Sequence, residues 1–344
     1  MRIALVTDAW LPQVNGVVRT LTAITGELMR RGHTVAVISP EQFRTVACPT
    51  YPEIRLAMVR TRTIGDRIEH FAPDAVHIAT EGPLGRAARA HCLTADRPFT
   101  TAFHTQFPDY LARRTGLSAA LFWPYFRRFH RESAGVMVAT ETVRAQLAAQ
   151  GLERLHMWSR GVDLARFHPG VAPPGLFFEL ARPIQLYVGR VAPEKNIGAF
   201  LANRHLGSKV VVGDGPALER LRAQYPEAQF LGRKTGEALA ACYAAADVFV
   251  FPSRTDTFGL VMIEALACGT PVAAYPVAGP LDVLDVRSGA MAERLEDAIA
   301  AALRLDRAGC LARAEEFSWR ASADQFLAAL VPGGGQDALL SKAA

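Results

Sequence analysis

The sequence PSRTDTFGLVMIEALACG, residues 252–269, follows the apolar segment 248–251, and together they decide the predicted fold. The apolar segment is typical of a buried strand, and the motif passes from polar turn residues into good helix formers. A strand, a glycine-containing loop and a helix N-terminus form an anion site, because the first backbone N–H groups of a helix lack partners within it. Asp256 precedes this helix start, and Glu264 follows it, where a carboxylate could accept hydrogen bonds from sugar hydroxyls. The stretch therefore predicts a nucleotide-sugar site rather than a simple phosphate cradle.

Strand and helix patterns alternate along the chain on both sides of this stretch. In the second half, apolar segments typical of buried strands lie at 184–188, 209–212, 229–231 and 248–251. In the first half they lie at 3–7, 34–39, 75–78, 99–103, 136–139 and 155–158. Segments with helical spacing separate them, so each half is predicted to be a doubly wound α/β domain with a parallel sheet. The Pro- and Gly-rich residues 167–183 are interpreted as a linker between domains at 1–166 and 184–315, with a cleft between the two halves.

Length and composition are those of a globular protein with two domains. The chain has 344 residues, of which 50% are hydrophobic and 21% are charged. No apolar run approaches the roughly 20 residues of a membrane-spanning helix, and the start MRIALVTD lacks the cleavage site of a signal peptide. A cytoplasmic location is therefore predicted. The five cysteines are scattered and form no C-x-x-C pair, which disfavours a disulfide framework or a metal site.

Positive charge is concentrated in the first half of the sequence. Residues 1–171 contain 21 Arg against 14 Asp and Glu, a formal charge of +7. Residues 172–344 contain 17 Lys and Arg against 19 Asp and Glu, a charge of −2. A basic first half favours an anionic partner or surface, although heavy use of arginine is also a feature of genome composition.

Segment 117–133 (LSAALFWPYFRRFHRES) combines aromatic and basic residues. Trp123 and Phe126 are interleaved with Arg127, Arg128 and Arg131. A basic, aromatic, amphipathic segment is typical of a helix that lies on an anionic membrane surface. The alternative is a core helix whose arginines face solvent, and the sequence leaves both interpretations open. Single-stranded nucleic acid also binds such residues, but nothing else here resembles a nucleic-acid module, so no nucleic-acid partner is expected.

Three further residues follow predicted strands at the edge where doubly wound sheets bind ligands. Arg190 and Lys195 come after strand 184–188, and together a fork-shaped and a point-like cation can hold a diphosphate. We expect them to converge with the helix start after strand 248–251, because carboxyl ends of parallel strands share one edge. Such a site would stabilise a leaving diphosphate without a metal. The sequence also lacks a D-x-D pair, the pattern that would indicate a bound divalent ion. His104 follows strand 99–103, where a functional side chain would project.

Several of these motifs, taken in order, resemble one family. VGRVAPEKN (188–196), GDGP (213–216) and PSRTDTFGLVMIEALACGTPV (252–272) are similar to the donor-site signatures of glycosyltransferase family 4. TDAWLPQVNGVVRT (7–20), FHTQF around His104 and RGVD (160–163) resemble acceptor-side and hinge elements of the same family. The resemblance covers nearly the whole chain, and it is greatest to members that glycosylate lipids, namely mannosyl-, sulfoquinovosyl- and diacylglycerol-glycosyltransferases. It implies the GT-B fold, with two Rossmann-like domains facing across a cleft, and a retaining reaction.

The resemblance also implies roles for residues of the second half. Arg190 and Lys195 would bind the donor diphosphate, and Glu264 would bind the nucleotide ribose. Asp256 stands where the family usually has Glu, near the hydroxyls of the sugar, and its shorter side chain leaves the sugar preference open. Three residues would hold phosphate and sugar through backbone N–H groups: Phe258, Gly259 and Leu260.

In the first half, the resemblance implies an acceptor domain at 1–166, whereas 184–315 would be the donor domain. Gly16 would let the first loop approach the diphosphate closely, and His104 would contact the transferred sugar. A C-terminal helix at about 316–330 would pack back on the first domain.

The activity implied is transfer of a hexose, with retention, from GDP-mannose or a UDP-sugar to a hydroxyl of a membrane lipid such as diacylglycerol or a phosphoinositide-type lipid. The nucleotide-sugar is a co-substrate, and neither a cofactor nor a metal is expected. The protein would then lie on the inner face of the cytoplasmic membrane. Alternatives are a soluble or polysaccharide acceptor and a nucleotide-sugar 2-epimerase of the same fold. A dehydrogenase is disfavoured because the first βα loop lacks G-x-G-x-x-G. The base, which loops such as 232–236 would select, and the oligomeric state stay open.

Overall fold

The computed structural model describes residues 1–13, 15–48, 51–104, 106–256 and 258–333. Contacts divide the chain into two compact units. The first unit comprises residues 1–159 and the chain from Ser322 onward, and the second comprises residues 160–321. Within the described ranges, no helix is both long and apolar enough to cross a membrane.

The first unit is built on a six-stranded parallel sheet. Its strands are Arg2–Val6 (β1), Thr34–Ile38 (β2), Ala75–Ile78 (β5), Thr100–Phe103 (β6), Gly135–Val138 (β7) and Leu155–Met157 (β8), in the spatial order β2-β1-β5-β6-β7-β8. An antiparallel pair, Thr45–Cys48 (β3) and Tyr51–Ala57 (β4), lies outside this sheet. The helices are Gly16–Arg30 (α1), Thr61–Phe71 (α2), Pro83–Thr94 (α3), Phe107–Thr115 (α4), Trp123–Arg131 (α5) and Glu141–Ala149 (α6).

The first helix shows how the sequence forms these elements. The Asn15 side chain caps α1 by accepting a hydrogen bond from the Val18 N–H at 3.0 Å. Apolar residues at helical spacing, including Leu21 and Leu28, then pack in a buried cluster with Ile3 and other β1 side chains. The strand is apolar on both faces because helices cover both sides of a parallel sheet.

The second unit repeats this architecture. Its parallel strands are Ile184–Val188 (β9), Ser208–Val212 (β10), Gln229–Phe230 (β11), Val248–Phe251 (β12), Val272–Ala274 (β13) and Gly289–Met291 (β14), in the order β11-β10-β9-β12-β13-β14. Its helices are Ile197–Ala202 (α7), Leu218–Gln224 (α8), Gly236–Ala245 (α9), Leu260–Ala267 (α10), Pro280–Val283 (α11), Leu295–Ala302 (α12) and Arg307–Glu315 (α13). The strand order reverses between β9 and β12, and loops at such a switch point form the ligand crevice of doubly wound sheets.

The predicted α/β class with two doubly wound parallel sheets is confirmed. The chain passes to the second unit between Ser159 and Arg160, upstream of the predicted linker 167–183. That segment belongs to the second unit, where Phe167 and Phe177 are buried and the Phe167 ring packs edge-on against Tyr243. A segment that buries its aromatic side chains in one unit is part of that unit, despite its proline and glycine content.

The last helix, Trp319–Ala329 (α14), begins in the second unit and belongs to the first unit from Ser322 onward. Within the first unit, Asp324 pairs with Arg31 at the end of α1, with a distance of 2.6 Å between the oxygen and nitrogen atoms. The Phe326 ring lies 5.0 Å from the buried Trp158 ring. These contacts anchor the end of the described chain on the first unit.

Candidate functional site

Two loops of the second unit pack tightly because of glycines in the GDGP segment. The Val191 N–H after β9 donates to the Asp214 carbonyl after β10 at 2.8 Å. A Cβ at Gly213 would lie 1.8 Å from the Gly189 carbonyl oxygen, and a Cβ at Gly215 would lie 2.5 Å from the Val191 oxygen. Only glycine permits this approach, so the GDGP motif fixes the shape of the loop that carries the two predicted cations.

The loop after β12 enters α10 through Gly259, which has a left-handed φ of +80°. A Cβ there would lie 2.9 Å from both the Phe251 ring and the Met262 side chain. Phe258 is buried, with its ring edge-on to Phe317 at a centroid distance of 5.8 Å. The Leu260 and Val261 N–H groups at the start of α10 lack intrahelical partners by helix geometry, whereas the Met262 N–H donates to the Gly259 carbonyl at 2.9 Å. These two groups can bind an anion at the carboxyl edge of the sheet.

The structure brings Lys195 and Asp256 together from the two sides of the switch point. The Lys195 ammonium lies 2.5 Å from the Asp256 carboxylate, and the two side chains are 26% and 24% exposed. The Asn196 side-chain amide donates to the Pro252 carbonyl at 3.1 Å and ties the same two loops. An ammonium has three donors, so Lys195 keeps hydrogen-bonding capacity for phosphate oxygens while it contacts Asp256.

Arg190 is an exposed residue of the same loop as Lys195. Its backbone is held by the Tyr187 hydroxyl, which donates to the Arg190 carbonyl at 2.9 Å. Burial, with the negative charges of Asp256 and Glu194, raises the pKa of Tyr187 well above its ordinary value. The tyrosine therefore stays protonated and remains a hydrogen-bond donor to the Arg190 carbonyl in the neutral range.

Glu264 lies in the interior of the second unit. It is 2% exposed, and its Oε2 accepts a hydrogen bond from the Tyr243 hydroxyl of α9 at 3.0 Å. The carboxylate thus joins α10 to α9 directly below the α10 start. The assignment of Glu264 to the ribose stays a prediction, and Tyr243 is a partner that the sequence motif did not reveal.

Gly16 and His104 lie in the first unit, at the start of α1 and just after β6. Gly16 is exposed, and the partly exposed His104 ring packs edge-on against Trp158 at 5.4 Å. Both residues therefore occupy the carboxyl edge of the first sheet, as predicted from their order in the sequence. Their contacts with donor and sugar stay predictions.

Asp8 is a buried acid at the switch point of the first sheet that sequence reasoning did not select. Its carboxylate accepts hydrogen bonds from the backbone N–H groups of Leu84, at 2.8 Å, and Gly85, at 3.2 Å, in the first turn of α3. The Thr80 hydroxyl adds a third at 2.8 Å. Burial raises the pKa of Asp8 despite these donors. The sequence signal that could have identified Asp8 is its position as the acid directly after the first predicted strand, 3–7.

The chain therefore supplies its own anion at this helix N-terminus of the first unit. A Cβ at Gly82, the residue that caps α3, would lie 2.4 Å from the Asp8 carboxyl carbon. The close approach of the carboxylate requires the glycine. The two units differ in this respect, because in the second the Lys195 ammonium lies against Asp256 of the loop that leads into α10.

The predicted membrane contact of Trp123 and Phe126 is corrected by their burial. They are 7% and 4% exposed, and their rings stack on Phe103 and Phe107 at centroid distances of 6.1 Å. These two rings of α5 already pack on β6 and α4, so they are not available for lipid. This is the core-helix alternative that the sequence left open.

The basic face of α5 remains exposed. Three arginines of this helix face solvent, and their contact with an anionic membrane stays a prediction: Arg127, Arg128 and Arg131. Nearby, the Arg89 side chain donates to the Arg128 and Phe129 carbonyls at 2.7 and 2.9 Å and fixes the end of α5 on α3. In the ranges that the structure describes, no group of three or more His, Cys, Asp or Glu side chains could hold a metal ion.

Comparisons with known proteins agree with this geometry. The profile of Glycosyltransferase Family 4 matches residues 14–166, and that of Glycosyl transferases group 1 matches residues 182–305. A GDP-mannose-dependent alpha-mannosyltransferase of Mycolicibacterium smegmatis is 33% identical over 308 residues, which cover 83% of this chain and 82% of the relative. An alpha-monoglucosyldiacylglycerol synthase of Streptococcus pneumoniae is 28% identical, with 80% of this chain and 71% of the relative covered.

A sucrose-phosphate synthase from Thermosynechococcus elongatus has the same fold. It superposes with a TM-score of 0.74 at 20% identity and covers 94% of this chain and 97% of its own. The predicted GT-B class is thereby confirmed. The chain belongs to glycosyltransferase family 4 and is a hexosyltransferase that uses a nucleotide-sugar donor.

Proposed function

We propose that this protein transfers a mannosyl group from GDP-mannose to a hydroxyl group of a membrane lipid, with retention at the anomeric carbon. The observation that carries the proposal is the meeting of Lys195 and Asp256 beside the start of α10, at the switch point of the second sheet. A cation and free helix N–H groups suit a diphosphate, and a nearby carboxylate suits sugar hydroxyls.

The donor site acts chiefly by stabilising the leaving group. As the bond between the anomeric carbon and the phosphate oxygen breaks, its electron pair moves to the diphosphate. Lys195, Arg190 and the first N–H groups of α10 stabilise this charge, which a preorganised site does without reorganisation. The acceptor oxygen bonds to the same face of the anomeric carbon, and its proton passes to the leaving phosphate oxygen. The diphosphate receives both the electron pair and the proton, so the reaction needs no carboxylate as nucleophile or base.

Mannose and GDP are favoured by the relatives. The mycolicibacterial relative is named as GDP-mannose-dependent, and a relative from Mycobacterium tuberculosis with the same name is 31% identical over 87% of this chain. A UDP-sugar is the alternative donor. The nucleotide that binds and the sugar that is transferred distinguish GDP-mannose from a UDP-sugar as the donor.

The proposal of a lipid acceptor is supported by the name of one relative and by the positive charge of the first half of this chain. The pneumococcal relative is named as an alpha-monoglucosyldiacylglycerol synthase. In this chain, Arg127, Arg128 and Arg131 form an exposed basic face on α5, and residues 1–171 carry a formal charge of +7. A basic face attracts anionic lipid at about 1 kcal/mol per residue near the surface. The protein would therefore act at an anionic membrane surface without spanning it.

The test is a transfer assay with GDP-mannose or UDP-glucose and vesicles that contain diacylglycerol and phosphatidylinositol. We expect mannosylated lipid from the wild type, no product from Lys195→Ala, and unchanged transfer by Arg220→Ala, a control on the exposed side of α8. Mannose transfer only to soluble acceptors would contradict the lipid part. An epimerised nucleotide sugar formed without any acceptor would contradict transfer itself.

A further inference from the structure

The loop after β11 carries two adjacent exposed cations, Arg233 and Lys234. Across the described parts of the chain, the Arg233 guanidinium makes no hydrogen bond, ion pair or ring contact. Neither residue has a role in the donor site described above. Exposed arginines are common on protein surfaces, so the position of this loop decides whether Arg233 can contact a ligand.

The loop emerges on the same edge of the second sheet as Lys195. Strand β11 pairs in parallel with β10, and β10 pairs in parallel with β9. The Gly213 N–H donates to the Gly232 carbonyl at 3.0 Å, and the Gly189 N–H donates to the Val212 carbonyl at 3.0 Å. Three successive loops thus form a continuous row. Strands β9 and β11 are two strand spacings apart, about 10 Å. A nucleoside whose diphosphate lies at the β9 loop can extend along this row to the β11 loop.

The two cations of the loop are not equivalent. Burial raises the pKa of Cys242 on α9 to about 11, and the positive charge of Lys234 is close enough to oppose that rise. Lys234 therefore lies near α9, next to the loop. Of the two, Arg233 carries a planar fork of donors, whereas the Lys234 ammonium is a point charge.

We propose that Arg233 selects guanine in the donor by donating two hydrogen bonds to O6 and N7 of the base. The planar fork of arginine matches these two adjacent acceptors. Adenine presents an amino donor in place of O6, and uracil has no such pair of adjacent acceptors. This inference rests on the proposed function, because it takes the diphosphate to lie at Lys195.

The test measures dissociation constants of GDP, IDP, ADP and UDP by isothermal titration calorimetry. IDP keeps O6 and N7 but lacks the 2-amino group. We expect the wild type to bind GDP and IDP alike, and each at least about tenfold more tightly than ADP or UDP. Arg233→Ala should lose about tenfold or more for GDP and IDP and less than about twofold for UDP. Arg220→Ala, which removes an exposed charge from α8, should match the wild type.

Several outcomes would overturn the assignment of Arg233 and leave hexosyl transfer intact. They are a wild-type preference for UDP or ADP, IDP binding far weaker than GDP binding, and an equal loss for all four nucleotides in Arg233→Ala. The last result would indicate a charge effect on the diphosphate instead of recognition of the base. If Lys195→Ala binds GDP as tightly as the wild type, the donor site itself is wrong, and the inference fails with it.

Discussion

The contact between Lys195 and Asp256 predicts a specific energetic coupling in nucleotide binding. In Lys195→Ala, the diphosphate loses a cation, and it is also left facing the Asp256 carboxylate. Removing that carboxylate as well, in Lys195→Ala/Asp256→Asn, should restore part of the affinity for GDP. The single variant Asp256→Asn should bind GDP at least as tightly as the wild type.

The magnitude follows from the geometry. The distance from Nζ to Oδ1 is 2.5 Å, and a charge-assisted hydrogen bond to phosphate adds about 2.8 Å, so a bound phosphate oxygen lies within about 5 Å of Asp256. Two unit charges at that distance repel by about 3 kcal/mol at a dielectric constant of about 20, and by about 0.8 kcal/mol in water. Side-chain exposures of 26% and 24% place the pair between these limits, at about 1–2 kcal/mol.

The charge-assisted hydrogen bond itself contributes about 1.5–3 kcal/mol. Lys195→Ala should therefore weaken GDP binding by about 1.5–3 kcal/mol, at least about tenfold, because the repulsion from Asp256 is present in both proteins. The double variant should regain about 1–2 kcal/mol, or about 5- to 30-fold. Isothermal titration calorimetry on the four proteins completes the double-mutant cycle. A double variant as weak as Lys195→Ala would refute the repulsion between Asp256 and the diphosphate. Comparing GDP-mannose with GDP in Asp256→Asn then isolates any contact of this carboxylate with the sugar.

Three further predictions concern stability. Tyr243→Phe should lower the stability of the second unit by about 1.5–3 kcal/mol, because it removes a hydrogen bond to the buried Glu264 without leaving a cavity. Thermal unfolding measures this, and an unchanged transition would contradict a stabilising contribution from the hydrogen bond. Gly213→Ala should lower the free energy of unfolding by about 1–3 kcal/mol and weaken GDP binding. The control Gly198→Ala should do neither, because no atom lies within 4 Å of a Cβ at that position. Equal melting temperatures of the two variants would disprove the close packing at Gly213. Burial raises the pKa of Asp8 above its ordinary value of 3.8. The stabilising contribution of Asp8 is therefore complete below pH 3.8 and is lost as the pH rises through the raised pKa. Urea unfolding of the wild type and of Asp8→Asn should show the stability of the wild type, relative to the variant, falling between these two pKa values, and a constant difference would contradict the raised pKa.

The sequence predicted the two sheets and the residues at the second switch point because both depend on local patterns. Periodicity identifies strands, and the order of strands and loops places Lys195 and Asp256 at one edge. Their ion pair could not be predicted, because it depends on the side-chain positions of two loops 61 residues apart. The Tyr243 partner of Glu264 was missed for the same reason.

Helix α5 shows the limit of an amphipathic pattern. The pattern identifies an apolar face but not the surface that covers it. Here Phe103 and Phe107 supply that surface, so Trp123 and Phe126 belong to the core, whereas the arginines remain exposed. The predicted linker 167–183 failed similarly, because proline and glycine indicate irregular backbone and not exposure.

The carboxylate of Asp8 makes two units of the same architecture chemically unequal. A solute phosphate that approached the start of α3 would compete with a group that is covalently tethered a few ångströms away, and the effective concentration of a tethered group exceeds that of a free metabolite. We therefore expect nucleotides to be kept off this helix of the first unit, and a saturating titration should count one nucleotide per chain.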